Sequence, residues 1–537
     1  MASPRTVSAL VRPTSRRALL GGALGVGAAV LAACTPSANP TPVPKPAEAQ
    51  TKPGPAAPTT APAAAAPTTA PAAATSAPAA ATKPADGSAK PGPTEARPAQ
   101  GAPGTRPTEV AKPAAAAPAP GKAVTEITYA NYSAGADRPL WEKVGGDFSQ
   151  RFPQYTVKYT PVAGDSWGEY FDKLATQIAG GNPPDVVRVA IEGTLLFVAK
   201  GLALPYDDLM KGDREIEEFK KDVNQRLLDT FVVDGKTYEF PLDWNNMVIF
   251  YNVAHFNEAG IPEPKGDWSF DQFLDTAKKL TKRPTGGGDP DRYGFGFAIQ
   301  YFAAAMPWIF NAGSNLLSDD WAKSNANDPK LIEALTFMRD MIWEHKVSPK
   351  PPSNNNDNQN LFVSAKISMM GGGRWPVLYL DQQKFAGEFN VVAWPKGRDQ
   401  VTEFGVGGFP IMKATKKQDA AWAWVKYLTN KEVFEYFAEL GSSIPGRRSV
   451  AYDEKVMSKR PPKNWKLYYD SIEAPNARPV PSPPEYNVVE SIFRRYLGVV
   501  FANEQPVKSA MEAAHKEISD TLAKRPKEWA VKSALLK

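Results

Sequence analysis

The stretch Tyr170-Phe171-Asp172-Lys173-Leu174-Ala175-Thr176-Gln177-Ile178-Ala179-Gly180-Gly181-Asn182-Pro183-Pro184-Asp185-Val186-Val187-Arg188-Val189 carries a helix, its stop signal and a strand in immediate succession. Phe171, Leu174, Ala175 and Ile178 fall at i, i+3, i+4 and i+7, one face of a helix that ends at Gly180-Gly181. Residues 185–189 then read as a short buried strand. The same alternation extends in both directions. Upstream, residues 126–132 and 155–162 read as strands and residues 140–152 between them as a helix. Downstream, Asp234-Gly235 joins 230–233 to 236–240 as a tight hairpin. Ser269 and Gln272 form a capping box ahead of Phe270, Phe273, Leu274, Ala277 and Leu280, an amphipathic helix. Gly/Pro/Asn-rich breaks at 284–290 and 348–359 read as surface connections. Strands separated by helices place the chain in the α/β class, with a parallel or mixed sheet and crossover connections.

The N-terminal part follows a different logic. Cys34 is the sole cysteine of 537 residues and ends the run Leu31-Ala32-Ala33-Cys34. The apolar stretch before it, 18–33, is too short and too rich in Gly and Ala to span a bilayer, and it follows Ser15-Arg16-Arg17. Residues 1–34 therefore read as an export signal ending at a lipobox cysteine that is acylated after cleavage. The paired arginines resemble a twin-arginine signal, but an ordinary secretory signal also starts positively charged, so the export route stays open. A single cysteine excludes intrachain disulfides. Residues 35–122 hold 21 prolines and no aromatic, leucine or isoleucine. Such a segment buries too little apolar surface to offset its ordering entropy and is expected to be a disordered linker, with a reach of roughly 50 Å. The net charge of +6 resides entirely in these two segments, +4 in each, which leaves −2 for residues 123–537. A folded part so close to neutral lacks the basic face that a phosphate backbone requires, so nucleic acid is not an expected partner.

Catalytic machinery is hard to find in the folded part. His255, His345 and His515 are isolated from one another and from acids at metal-ligand spacing, and without a thiol no metal site or cofactor is expected. Gly286-Gly287-Gly288 and Gly371-Gly372-Gly373 lack the Lys-Ser/Thr ending of a phosphate loop. Acids are plentiful enough that a two-carboxylate glycosidase stays open. Tryptophans stand out more. Trp141, Trp167, Trp244, Trp268, Trp308, Trp321, Trp375 and Trp394 lie beside Gly, Pro, Asn or Asp. Each could simply anchor a core. An indole plane can equally pack on the C–H face of a sugar while neighbouring polar groups bond its hydroxyls. Asp243-Trp244-Asn245-Asn246 and Gly373-Arg374-Trp375-Pro376 join an aromatic to polar groups on segments leaving strands, where open sheets place ligands.

Four segments of the chain resemble the extracellular solute-binding proteins of ABC importers, in their maltose/oligosaccharide-binding branch. They are 170–187; 235–252; 362–375, which ends on Gly373-Arg374-Trp375; and 407–447, which holds Gly407-Gly408-Phe409-Pro410-Ile411 and Ser443-Ile444-Pro445-Gly446-Arg447. The resemblance implies a two-lobed periplasmic-binding-protein fold of type II over residues 123–537, with crossings at 241–249 and back near 407–411. Lobe one is expected at about 124–242 plus about 372–409, and lobe two at about 248–371 plus about 410–537. It implies ligand contacts from Asn131 and Glu192 in lobe one and from Asp243, Trp244 and Asn245 at the hinge, with Trp375 as stacking platform; Trp308, from the aromatic supply, and Arg374, from the 373–376 segment, are further candidate contacts. Val189 in place of an aromatic, Gly193 in place of a basic residue and Arg374 in place of a proline depart from the maltose-binding pattern. The function expected is that of a monomeric, non-catalytic binding component. It would be lipid-anchored on the outer face of the cytoplasmic membrane and capture a carbohydrate, an oligosaccharide, for ABC permease subunits. An exported glycoside hydrolase and a cell-surface scaffold lipoprotein are the alternatives.

The anchor is directly testable. Cys34→Ser is expected to move the protein from washed membranes to the soluble fraction, because two or three acyl chains on one cysteine are what makes such anchoring stable. Retention of the serine variant in the membrane pellet would refute the anchor.

Overall fold

The computed structural model describes residues 123–133, 137–164, 166–298, 302–350 and 357–536. The export signal, Cys34 and the 35–122 linker lie outside them. Within this range β1 (Thr125–Tyr132) is the centre of the first sheet, pairing in parallel with β2 (Tyr155–Val162) and β3 (Val186–Val187). Its residues Ile127, Tyr129 and Ala130 are fully buried. The helix Arg138–Arg151 returns the chain from β1 to β2 and buries Leu140, Trp141, Val144 and Phe148. The helix Trp167–Ala179 starts where the Ser166 hydroxyl accepts the Glu169 N–H, and turns Tyr170, Phe171 and Leu174 inward.

The strand expected over 185–189 is broken in two. β3 stays on β1, whereas β4 (Val189–Ala190) pairs with a strand of another sheet. Arg188 sits between them, its N–H donated to the Ala130 carbonyl. Asp185, just before the break, accepts from the Thr128 N–H and hydroxyl, the Thr415 hydroxyl and the Lys417 ammonium. Burial alone would raise this carboxyl, but those four donors hold it below the ordinary aspartate value.

The hairpin forms as read: β5 (Val232–Val233) and β6 (Lys236–Thr237) flank Asp234 and Gly235, both at positive φ. Then β7 (Asp243–Asn246) leads through Met247 into β8 (Val248–Asn252). β8 lies in a second sheet with β9 (Tyr293–Gly296), β10 (Ile367–Gly372) and β11 (Phe389–Ala393), in the order β11-β8-β10-β9. The predicted capping box at Ser269 and Gln272 is present and opens the helix Phe270–Leu280 over this sheet. β12 (Thr402–Gly408) brings the chain back antiparallel to β7, from Phe404 opposite Asn246 to Gly407 opposite Asp243. β13 (Ile444–Pro445) extends this third sheet beyond β7, and β14 (Ala477–Pro479) extends it beyond β12.

The first and second sheets are the cores of two lobes, and the β7–β12 pair is the hinge ladder between them. The lobe boundaries expected from the resemblance need correction. Residues 389–393 were assigned to lobe one, but β11 pairs with β8 in the second lobe's sheet. Residues 418–428 were assigned to lobe two, but they form a helix on the first. There Trp424 meets Phe148 edge-on at 5.1 Å, and Lys417 reaches Asp185 at 3.0 Å. After β14 the helix Tyr486–Phe501 bridges the lobes: it packs on the helix Trp167–Ala179 of the first, where Glu490 Oε2 accepts the Gly168 N–H at 3.0 Å, and together with the helix Val507–Ala523 on the helix Pro329–Trp343 of the second, where Trp343 Nε1 donates to the Phe501 carbonyl at 3.0 Å.

Strand–helix packing in the second lobe is tightest at Gly294. A Cβ there would stand 2.1 Å from the Ala277 carbonyl oxygen and 2.6 Å from its carbon. Since the obstacle is backbone, Gly294→Ala is expected to cost about 1–3 kcal/mol of stability, read as a lowered melting temperature without ligand. An unchanged melting point would refute this packing.

Candidate functional site

A cavity of about 410 Å³ opens where the two lobes and the hinge ladder meet. From the first lobe, β1 delivers Asn131 and Tyr132 at its C-terminal end, and the next helix delivers Trp141. Asp137 fixes this wall: its carboxylate accepts Asn131 Nδ2 at 2.8 Å, Trp141 Nε1 at 3.0 Å, the Tyr159 hydroxyl at 2.8 Å and the Ser133 hydroxyl. With its amide nitrogen so engaged, Asn131 keeps a buried carbonyl oxygen that meets no donor.

The hinge supplies the floor. Arg188 Nη2 lies 2.7 and 2.8 Å from the two carboxylate oxygens of Asp243. Trp244 is fully buried, packs edge-on against Tyr469 and has no partner for its Nε1. Asn245 lines the cavity and also accepts the Arg374 N–H at 2.8 Å. Glu192 enters from the first turn of the helix Ile191–Ala199 and is 2% exposed, with Oε2 unpartnered. Burial pushes its pKa up to about 8; its own N–H and Arg188 oppose the rise, and Glu490 adds to it. Glu403 on β12 is equally buried and is raised by burial and by Glu192 beside it.

The second lobe contributes Asn358, Gln359, Gly371 and Trp375. Trp375 is half-buried at the start of the helix Pro376–Gln382. Gly373 makes its position possible, because a Cβ there would stand 2.2 Å from the Trp375 ring and 2.8 Å from Asn245 Cβ.

Six of the expected contact residues thus line one cavity: Asn131, Glu192, Asp243, Trp244, Asn245 and Trp375. Trp308 and Arg374 do not. Trp308 is fully buried in an aromatic cluster with Phe270, Phe273 and Trp394. Arg374 is also fully buried, and its guanidinium donates to the carbonyls of Ser443 at 2.7 Å and Ala438 at 3.0 Å. Burial pushes its pKa down to about 10. It ties the segment around β13 to the loop that carries Trp375 and presents nothing to the cavity. Gly193 also has a steric cause, since a Cβ there would stand 2.4 Å from the Phe171 ring. A basic side chain has no room.

Sequence reasoning missed Asp137, Arg188 and Glu403, and passed over Trp141 and Trp167 as contact residues, although all five line the cavity. The i,i+4 spacing of Asp137 and Trp141 was the one available signal. Among the described residues no group of three or more His, Cys, Asp or Glu could hold a metal ion. His255 is buried with Nδ1 3.0 Å from the Ser368 hydroxyl, and neither residue lines the cavity; burial, with Arg292 nearby, pushes its ring down to about 4.

The raised Glu192 carboxyl has a stability consequence. Between about pH 4.3, the ordinary glutamate value, and about 8 the folded state holds a proton that the unfolded state has released. Stability therefore falls as pH rises through that window. Glu192→Gln is expected to remove part of this fall, so denaturant titrations should show the variant gaining on the parent from about pH 5 to about pH 8. A constant difference across that range would contradict the burial assigned to Glu192.

Comparison with known proteins agrees with this geometry. The model of the bacterial extracellular solute-binding protein family matches residues 130–433. A Brucella abortus protein named only as a binding protein is 26% identical over 409 residues, covering 74% of this chain and 93% of its own length. The diacetylchitobiose binding protein DasA of Streptomyces coelicolor is 23% identical over 382 residues, covering 68% and 84%. Among solved structures, an ABC substrate-binding protein of Listeria monocytogenes in complex with cycloalternan superposes with a TM-score of 0.67 at 22% identity, covering 75% of this chain and 100% of that one. A two-lobed α/β fold, a cleft floored by the hinge ladder and a family match across both lobes lead to one conclusion: the chain belongs to the bacterial extracellular solute-binding proteins.

Proposed function

We propose that this protein captures a carbohydrate, an oligosaccharide, outside the cytoplasm and passes it to the permease subunits of an ABC importer. Membership of an extracellular binding family makes it an exported binding protein and not an enzyme, which removes the hydrolase alternative. The scaffold alternative required the absence of a ligand pocket, and a cavity of about 410 Å³ is within the range of small-molecule sites.

The observation that carries the carbohydrate reading is the composition of the walls. The half-buried Trp375 from one lobe and the largely buried Trp141 and Trp167 from the other line a space edged by Asn131, Glu192 and Asn358. Flat apolar surfaces suit the faces of a pyranose ring, and amide and carboxyl groups suit its hydroxyls. The names of the relatives point the same way, to diacetylchitobiose for one and cycloalternan for another. Two lobes joined by a strand ladder can close over a solute by hinge rotation, which buries it and gives a permease a distinct shape to recognise. On this reading residues 1–34 direct export, Cys34 carries the lipid, residues 35–122 form the tether, and the binding domain works as a monomer.

A thermal-shift screen over a sugar library tests the ligand class, since a solute bound only by the folded state raises the melting temperature by mass action. Trp375→Ala tests the platform. Loss of one stacking surface is expected to weaken the best sugar by ten- to a hundredfold, about 1–3 kcal/mol, with a nearly unchanged melting point in the absence of ligand. Unchanged affinity would remove Trp375 from the site.

A further inference from the structure

The charges around the cleft do not balance. Asp137, Arg188, Glu192, Asp243 and Glu403 line it, four acids against one base. The base is fully committed, because Arg188 faces both oxygens of Asp243 at 2.7 and 2.8 Å. Asp137 is satisfied by neutral donors, namely Asn131, Trp141, Tyr159 and Ser133. Glu192 and Glu403 remain, each 2% exposed. Around Glu192 the charged groups are Glu490 on the helix Tyr486–Phe501, which opposes ionisation, and the already paired Arg188; around Glu403 the charged neighbour is Glu192 itself. The unsatisfied buried groups of the cleft-lining residues are also mostly acceptors. Among the described residues lining the cavity, Glu192 Oε2, Asn131 Oδ1 and Asn358 Oδ1 are buried acceptors without donors, against the single buried donor Trp244 Nε1.

Two buried carboxyls lining one cavity without a free cation are costly, and an apolar pair of the same size would fill the space at less expense to stability. The described residues offer no geometry for a metal ion among these acids. What would satisfy them is a donor brought by the solute. A sugar hydroxyl donates one hydrogen, accepts others and brings no counter-charge; an ammonium supplies three donors, no acceptor and the positive charge that would let a carboxyl ionise there. An anionic solute would meet carboxyls with no free base to receive it.

Resting on the carbohydrate reading above, we infer that the solute is an amino sugar, a saccharide bearing a free ammonium group, which docks against Glu192 and Glu403. In the empty cleft burial without a free counter-charge disfavours the ionised form of both carboxyls. Binding of an ammonium expels a proton from the pair, which a neutral sugar does not do.

Calorimetric titration of the full-length protein in detergent at about pH 6.5, in two buffers of different ionisation enthalpy, reads both affinity and proton release. Three β-1,4 disaccharides differing at C2 serve as probes: chitobiose with free amines, diacetylchitobiose with amides and cellobiose with hydroxyls. Chitobiose is expected to bind at least about tenfold more tightly than the other two and to release a proton on binding, while the neutral pair releases none. Glu403→Gln is expected to reduce that preference to less than about threefold. Equal affinities, or tighter binding of either neutral sugar, would overturn the amino-sugar inference and leave the carbohydrate reading standing. Binding of none of the three, with no thermal shift from the wider sugar library, would remove both. A tenfold preference that survives Glu403→Gln would overturn the assignment to the Glu192–Glu403 pair. If that variant does not fold, the parent's affinity ratio and proton release decide the matter alone.

Discussion

The ion pair between Arg188 and Asp243 is the contact on which the arrangement of the cleft depends. Arg188 occupies the break between β3 and β4, so its backbone still belongs to the first sheet while its side chain reaches the start of β7. Asp243 is where the chain sets out for the second lobe. The returning strand accommodates the pair at Gly407, where a Cβ would stand 2.7 Å from Arg188 Nη2 and 2.8 Å from Asp243 Oδ1. Three segments far apart in sequence are thus locked to one point. Removing either charge would leave the other buried, a loss of about 3–5 kcal/mol in comparable pairs.

The strand break also sets the position of Glu192. Because β4 turns away from β1 to pair with β12, the following helix starts at Ile191 and its first turn points Glu192 at the hinge, next to Glu403. Neither carboxyl serves the fold: they are buried without a counter-charge, and each is shifted toward its neutral form. Buried polar groups that the protein itself leaves unsatisfied are characteristic of places where a ligand completes the network. Asp137 shows the contrast, since its four donors organise the wall and ask nothing of a solute.

Arg374 and Trp375 are adjacent in sequence and opposite in role. The loop leaving β10 turns one inward, where its guanidinium holds two carbonyls of the segment 438–443, and the other into the cleft wall. The buried arginine fixes the loop, Asn245 receives its N–H, and Gly373 clears the volume the indole needs. The platform is therefore held by contacts from both the hinge and the 438–443 segment ahead of β13, which suits a surface that must keep its orientation as a solute arrives.

The sequence by itself determined the local elements. The helix at 167–179, the hairpin at Asp234-Gly235 and the capping box at Ser269 depend on periodicity, turn chemistry and neighbouring side chains, all of which are written within a few residues. It also pointed to six residues of the cleft, through the resemblance of four segments and through aromatics set beside polar groups at strand ends. Other features depended on partners hundreds of positions away. The break of the 185–189 strand follows from Asp243 and β12, the burial of Trp308 from an aromatic cluster with Phe270, Phe273 and Trp394, and the role of Arg374 from carbonyls beyond position 437. Which lobe receives residues 389–393 and 418–428 was decided by strand pairing and helix packing across the chain. Side-chain type and spacing encode what a segment can form; only the tertiary structure decides which neighbour completes its hydrogen bonds and charges, because those neighbours are brought together by the fold and not by the chain's order.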